Sequence, residues 1–288
     1  MEYLESLATL IGIYVILGTS YNLVFGYAGM LSVAHAVFYG IGAYSGALLL
    51  LRLGADFFTA TVVAMLISGL IAALLALSSI RLIGDYLLVA SFGFQLIGYN
   101  VFLNWKSVTR GAMGLPGIPR PRLLGHTLAS SHEILLFVLV VAGVCCVIVW
   151  RLGSSAFGRT LRAIREDEIA AMACGKDVRA YKILTFAIAG ALAAVAGTLY
   201  ATYITFIDPE TFVLNTSFLI LVIVLIGGAG SFWGGVVGAV FVWVFPELLR
   251  FLDLPPSIAA PMRQVFYGVL LIAFMLFRPQ GLLGSSRA

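Results

Sequence analysis

Two groups of residues in this chain have the types and spacing to do work. The first is a charged run at 158–175 in which Arg159, Arg162 and Arg165 recur every third residue, followed by Glu166, Glu168, Ala170, Ala171 and Gly175. Leu161, Ile164, Ala171 and Met172 fall at helical spacing on the same run. Gly175 suits the left-handed position that ends a helix, and Asp177 can cap the next one. The pattern predicts a short amphipathic helix between two apolar runs, offering charge and alanine to a docking partner. The alternative is a solvated linker whose positive charge only orients the chain. The second group is Asn22, His35, Gln95 and Asn100, polar side chains set inside apolar runs. Amides and an imidazole can exchange hydrogen bonds with a small polar solute, and a histidine can pass a proton. Beside Ser32, His35 equally suits a hydrogen-bonded packing role.

What is missing narrows the chemistry. Asp56, Asp85, Glu133, Asp208, Glu210, Glu247 and Asp253 all fall near the ends of apolar runs, never in the middle. A carrier driven by protons or ions normally keeps a carboxylate or paired charge inside the membrane, so this pattern weighs against one. The nearest approach to a phosphate-binding Gly-Lys-Ser/Thr is Gly175-Lys176, and Asp177 follows it. No His-Glu-x-x-His helix occurs, and His126 and His132 share a polar loop. Cys145, Cys146 and Cys174 make no disulfide framework. No enzyme and no cofactor bound by this chain is expected.

The elements that must position these residues are membrane helices. Of 288 residues, 61% are hydrophobic and 10% charged, with mean hydropathy +1.07. A soluble domain carries about 25% charged residues, so lipid must be the outer solvent. The net charge of +4 is concentrated in one connecting loop, which argues for a membrane orientation signal and against nucleic acid. Candidate spans are 7–25, 36–51, 57–80, 86–103, 134–150 and 183–204, with weaker ones at 212–226, 235–251 and 264–277. That is about nine crossings, with eight or ten allowed if a glycine-rich stretch re-enters. Long, non-alternating apolar runs in lipid mean helices. The first run lacks a basic leader and a cleavage site, and reads as a retained span. The fold class expected is an all-α integral membrane protein, a bundle of about eight to ten helices in one domain over 1–288.

The basic loop 153–182 should be cytoplasmic, which puts loop 104–133 and the N-terminus outside and the C-terminus inside. By that assignment ten of the 17 lysines and arginines lie inside. Gly26-Tyr27-Ala28-Gly29 and Gly227-Gly228-Ala229-Gly230 repeat a glycine pattern after an apolar run, as broken helices at a solute path do in duplicated transporters. Gly42 and Gly46, then Gly190, Ala194 and Gly197, then Gly230, Gly234 and Gly238 form stripes for close helix packing. The segments 26–35 and 227–235 are the ones whose loosened backbone would line a path, with Asn22, Gly26, Gly29, His35, Gly40, Gly227, Gly228 and Gly230 as its candidate residues.

In order and spacing, several motifs resemble those of LivM-type permeases of branched-chain amino-acid ABC transporters, in the LivH/LivM family. They are Asn22-Leu23, Gly26 to Gly29, His35 and Gly40 to Tyr44; Gly84-Asp85-Tyr86, Asn104-Trp105 and Thr109 to Pro119; and Asp208-Pro209, Gly227 to Gly230, Pro246-Glu247 and Arg278 to Leu282. Segment 158–175 resembles the coupling segment of that family, a loose form of Glu-Ala-Ala, three residues, Gly. Ala170, Ala171 and Gly175 fit, while Glu168 is displaced by one and the downstream Leu-Pro is missing. Arg110 replaces a glycine of the family's Thr-Gly-Gly element. The resemblance implies a second homologous LivH-like permease, two LivG/LivF-like ATPase subunits that use ATP and Mg, and a periplasmic or lipid-tethered solute-binding protein, in a bacterial inner membrane. The cargo it implies is a branched-chain amino acid or a related solute such as urea, an amide or another amino acid. Thr109, Gly111 and Gly114 mark an outer mouth in the ordered, Gly- and Pro-rich loop 104–133, which could instead simply cap the bundle. A stand-alone carrier or channel for a small polar solute is the alternative function.

Overall fold

The computed structural model describes residues 2–79, 85–123, 126–248, 268–269 and 281–283. The expected span 264–277 apart from 268–269, the motif residues 278–280, and Arg81 and Gly84 lie outside them. Each long apolar run forms a helix, since only local i to i−4 bonding satisfies every amide without water. In chain order these are α1 (Glu2–Asn22), which continues as a π-helical turn over Leu23–Tyr27, α2 (His35–Arg52), α3 (Phe57–Ser79) and α4 (Asp85–Asn104). A short α5 (Lys106–Thr109) precedes α6 (Ser131–Ser154), α7 (Ala156–Glu166), α8 (Glu168–Ala173), α9 (Val178–Ile204), α10 (Leu214–Gly227) and α11 (Phe232–Leu248).

Burial sorts the helices. The most apolar window of α1 is 78% buried and that of α9 67%, against 28% for both α4 and α6. So α1 and α9 are the central posts, and α4 and α6 present faces to the surroundings. Leu66, Leu70, Leu74 and Leu77 line the outer face of α3, and Leu136, Val140, Val144 and Val147 that of α6, all more than half exposed. Such unbroken apolar stripes suit lipid.

The centre is held by small residues. A β-carbon on Gly42 would fall on the backbone of Ala194, and one on Gly197 would meet the backbone of α2. Thr198 Oγ1 donates to Gly42 O (3.3 Å), and Ser68 Oγ of α3 donates to Gly190 O (2.9 Å). The close approach brings side-chain hydroxyls within reach of neighbouring carbonyls. The glycine stripes expected on α2 and α9 are therefore packing surfaces.

Five helical stretches among the described residues are long and apolar enough to cross a membrane, and a sixth is added if one bent pair counts as a span. The all-α membrane architecture holds, but this count is smaller than the expected eight to ten. One reason is that α2, 18 residues long with His35 and Arg52 at its ends, is not among the five. The other is that α10 and α11 meet at 118°, so the expected spans 212–226 and 235–251 form one broken or re-entrant unit.

At the end of the bundle opposite 151–182, four two-residue strands add what the sequence did not announce. β1 (Leu115–Pro116) pairs antiparallel with β4 (Phe206–Ile207), and β2 (Arg122–Leu123) with β3 (His126–Thr127). Gly117 N and Ile118 N both donate to Thr205 O (3.1 and 3.2 Å). Loop 104–133 is thus stitched onto the α9–α10 connection.

Replacing Gly42 by leucine should cost about 3 kcal/mol or more of stability, because neither backbone can retreat. Gly143 has nothing within 4 Å of a β-carbon, so the same change there should be neutral. Thermal unfolding of the two variants in detergent checks this; equal melting temperatures would refute the packing role.

Candidate functional site

The basic run folds as an elbow and not as the single helix its periodicity predicts. Ser155 caps α7 by accepting from Phe157 N (3.1 Å). Asp167, in extended conformation, ends it, and its Oδ1 accepts from Ile169 N (2.8 Å) and Ala170 N (3.0 Å) to start α8. A short carboxylate competing for backbone amides is the physical cause of the break. The far end is as expected: Gly175 takes φ +75°, its N–H donates to Met172 O and that of Lys176 to Ala171 O (2.9 and 3.2 Å), closing the helix. Asp177 then caps α9 through Ala180 N (3.2 Å).

The faces of the elbow also depart from the expectation. Leu161 and Ile164 are buried, and Ala171 packs with Val178 and Tyr181. Met172, expected on the apolar side, is 50% exposed, and Ile169 is 76% exposed. Between α7 and α8 lies an open groove of about 510 Å³ whose lining includes Arg159, Ala163, Glu166, Ala170 and Cys174. Glu168 is held away from this groove by Lys182, Nζ to Oε2 2.6 Å.

The three arginines do not project together. Arg159 Nη1 donates to Ser154 O (3.2 Å) beside the groove. Arg162 Nη2 donates to Gly153 O (2.9 Å), and its guanidinium lies 5.1 Å from the centre of the Tyr27 ring. Arg165 Nη1 donates to Gly26 O at 2.5 Å. Two of the three therefore grip the end of α1, where the helix dipole is negative. The end of that helix leaves carbonyls to be satisfied. Leu23 O accepts from Ala28 N, Val24 O from Met30 N and Phe25 O from Gly29 N, at 3.0 to 3.3 Å. Gly26 O takes its partner from α7. A charged hydrogen bond of this kind contributes about 2 kcal/mol.

Here the two glycine repeats meet. Asn22 Oδ1 accepts from Gly230 N (2.9 Å), and its Nδ2 donates to Ser231 O (2.7 Å). One amide side chain thus bonds one N–H and one carbonyl of the second break, while a β-carbon on Gly26 would collide with Asn22 and with Gly230. Gly227 and Gly228 are buried in the bend. The amides of Leu282 and Leu283 donate to Ile226 O and Gly227 O (2.8 and 3.0 Å), so the end of α10 is capped by the described part of the Arg278 to Leu282 motif.

His35 lies apart from this clasp, at the start of α2. Ser20 Oγ donates to Leu17 O and lies 2.9 Å from His35 Nε2, so the imidazole joins α2 to α1. Side chains serve the backbone on both sides of it: Val33 N in the non-helical segment donates to Ser91 Oγ, and Ala36 N in the first turn of α2 to Ser217 Oγ. Ser217 in turn reaches Gln95 Oε1, and Gln95 Nε2 donates to Phe212 O. Gly40 faces Phe102 and Phe212. Of the expected path residues, Asn22, Gly26, His35, Gly40, Gly227 and Gly228 are buried within the subunit, whereas Gly29 is exposed and Gly230 half-buried. Asn100 is exposed and bonds its own helix at Leu96 O.

At the opposite end Thr109 Oγ1 donates within a bifurcated set to Phe102 O and Trp105 O (2.7 and 2.9 Å) and accepts from Gly111 N (3.2 Å). Gly114 lies against Ile207 O and the Phe206 ring. Arg110 has φ +62°, a conformation open to glycine and strained for other residues. Among the described residues no group of three His, Cys, Asp or Glu side chains could hold a metal.

Residues 3–275 match the family of branched-chain amino acid transport system permease components. The chain is 34% identical over 304 residues to the high-affinity branched-chain amino acid transport system permease protein LivM of Escherichia coli K12, covering 98% of this chain and 70% of that one. It is 27% identical to a probable branched-chain amino acid transport permease protein LivM of Methanocaldococcus jannaschii (94% and 90% covered). It is also 27% identical to LivH of E. coli K12 (96% and 92% covered). No solved structure matches. The chain belongs to this permease family. It is a multi-pass membrane transport subunit and not an enzyme.

Replacing Arg110 by glycine should stabilise the protein by about 1 kcal/mol by relieving the left-handed strain. A higher melting temperature in detergent is the expected reading, and a lower one would show that the arginine side chain matters more than its backbone.

Proposed function

We propose that this chain is one permease half of an ATP-driven importer of branched-chain amino acids or a related small polar solute, such as urea, an amide or another amino acid. The names of the relatives support the first cargo. A 27% identical relative described as an autoinducer 2 import system permease protein, matched over 66% of this chain, supports keeping the wider class. The complex would hold a second homologous permease, two ATPase subunits that bind ATP and Mg, and a periplasmic or lipid-tethered solute-binding protein. In the cytoplasmic membrane the α7–α8 elbow faces the cytoplasm, with the N-terminus outside and the C-terminus inside. The breaks at 22–35 and 227–231 flank the solute path, and Thr109, Gly111 and Gly114 shape its outer mouth.

The observation that carries the docking reading is the exposure of Ile169 and Met172 on a helix otherwise marked by charge, beside an open groove. These apolar side chains have no partner in this chain's core. They fit a protein socket, with Arg159 and Glu166 at the rim. Changing both Ile169 and Met172 to aspartate should leave membrane insertion intact and cut co-purification of the ATPase subunits at least tenfold, with uptake lost in proportion. Normal ATPase retention would sink the docking assignment. Uptake of labelled leucine, isoleucine, valine and urea by the reconstituted complex identifies the cargo.

A further inference from the structure

We infer that Arg165 is a positioning residue, a pin through which the elbow holds the two helix breaks in register, and not a contact to the docked partner. This rests on the docking reading of α7–α8 and names the residue that passes the elbow's position inward. The side chains of the elbow divide by direction. Ile169 and Met172 are exposed; Arg165 is exposed as well, but its guanidinium reaches back to Gly26 O of the bundle. A β-carbon at Gly29 would lie 2.8 Å from Arg165 Cγ, and one at Gly230 would lie 2.9 Å from its Nη1. The arginine therefore threads between the final glycine of each repeat. Both have positive φ, +70° and +84°, and neither site has room for a side chain while the arginine is there.

The chain of contacts is short and continuous. Arg165 bonds Gly26 O; Gly26 packs on Asn22 and Gly230; Asn22 bonds Gly230 N and Ser231 O. Gly26 O draws on α7, while the three preceding carbonyls are served by local amides. Displacement of α7 by a few ångströms would strip Gly26 O of its donor and leave the two breaks joined through Asn22 alone. A ligand or partner shifts a conformational equilibrium only through contacts that differ between the two states. The Arg165 bond is such a contact, because it joins an element moved by the partner to the backbone that would open. Asp167, two positions on, supplies the joint where α8 can follow a docked partner independently.

Hydrogen exchange of the isolated permease tests the pin without the ATPase. In Arg165→Gln the Gly230 amide should exchange at least tenfold faster, with α8 unchanged, and Arg165→Lys should recover part of the protection. Unchanged exchange at Gly230 overturns the inference. In the complete complex Arg165→Gln should retain ATPase subunits within twofold of wild type, while solute moved per ATP hydrolysed falls at least tenfold. Transport at the wild-type ratio, or loss of the ATPase subunits, would also overturn it. If the wild-type complex assembles no ATPase, the docking reading fails, and the exchange result still decides the pin.

Discussion

Backbone amides inside a membrane have no water to fall back on, and the organisation of this protein follows from that constraint. An unbroken helix satisfies them locally, but two segments here, 28–34 and 228–231, are not helical. Each unwound group must find its donor or acceptor elsewhere in the protein. Ser91 of α4 serves the first break and Ser217 of α10 the first turn of α2 that follows it, while Asn22 serves the second break and Leu282 and Leu283 the end of α10 that precedes it. The breaks are therefore the points where distant elements are obliged to touch, and they set which helices are neighbours.

The same constraint joins the basic elbow to the bundle. The carbonyl end of α1 needs a cationic or amide partner, and α7 provides Arg165, while Arg162 lies over the Tyr27 ring and donates to Gly153 O of α6. An amphipathic helix lying on the membrane face could have been a passive lid. Here its Arg165 completes a transmembrane helix, so movement of one cannot be independent of the other. The outward face keeps its charge and two apolar side chains for a partner. This division of one short segment into an inner and an outer face is the physical basis for reading it as a transmitter.

Much of this organisation is legible in the chain itself. Composition names the solvent, apolar runs name most helices, and Gly175 and Asp177 name the end of α8 and the start of α9 at their observed positions. The small-residue stripes on α2 and α9 pack as their spacing implies. Periodicity reads the elbow as one helix because Asp167, set between Glu166 and Glu168, is indistinguishable from surface charge; only its bonds to Ile169 N and Ala170 N mark it as a cap. Length and hydropathy carry no information about bends such as the 118° turn between α10 and α11, which joins two expected spans in one bent pair.

Sequence alone determined the class of protein, the existence of two glycine-rich breaks and the presence of a charged segment between two apolar runs. These depend on local composition and spacing, which the chain displays without folding. That the two breaks touch, that Asn22 spans to Gly230 across more than two hundred residues, and that Arg165 reaches back to Gly26 O while Ile169 stays exposed were decided by tertiary structure. The reason is that an unpaired carbonyl or amide specifies only that a partner is needed. Which side chain supplies it depends on how the helices pack, and that is a property of the whole bundle.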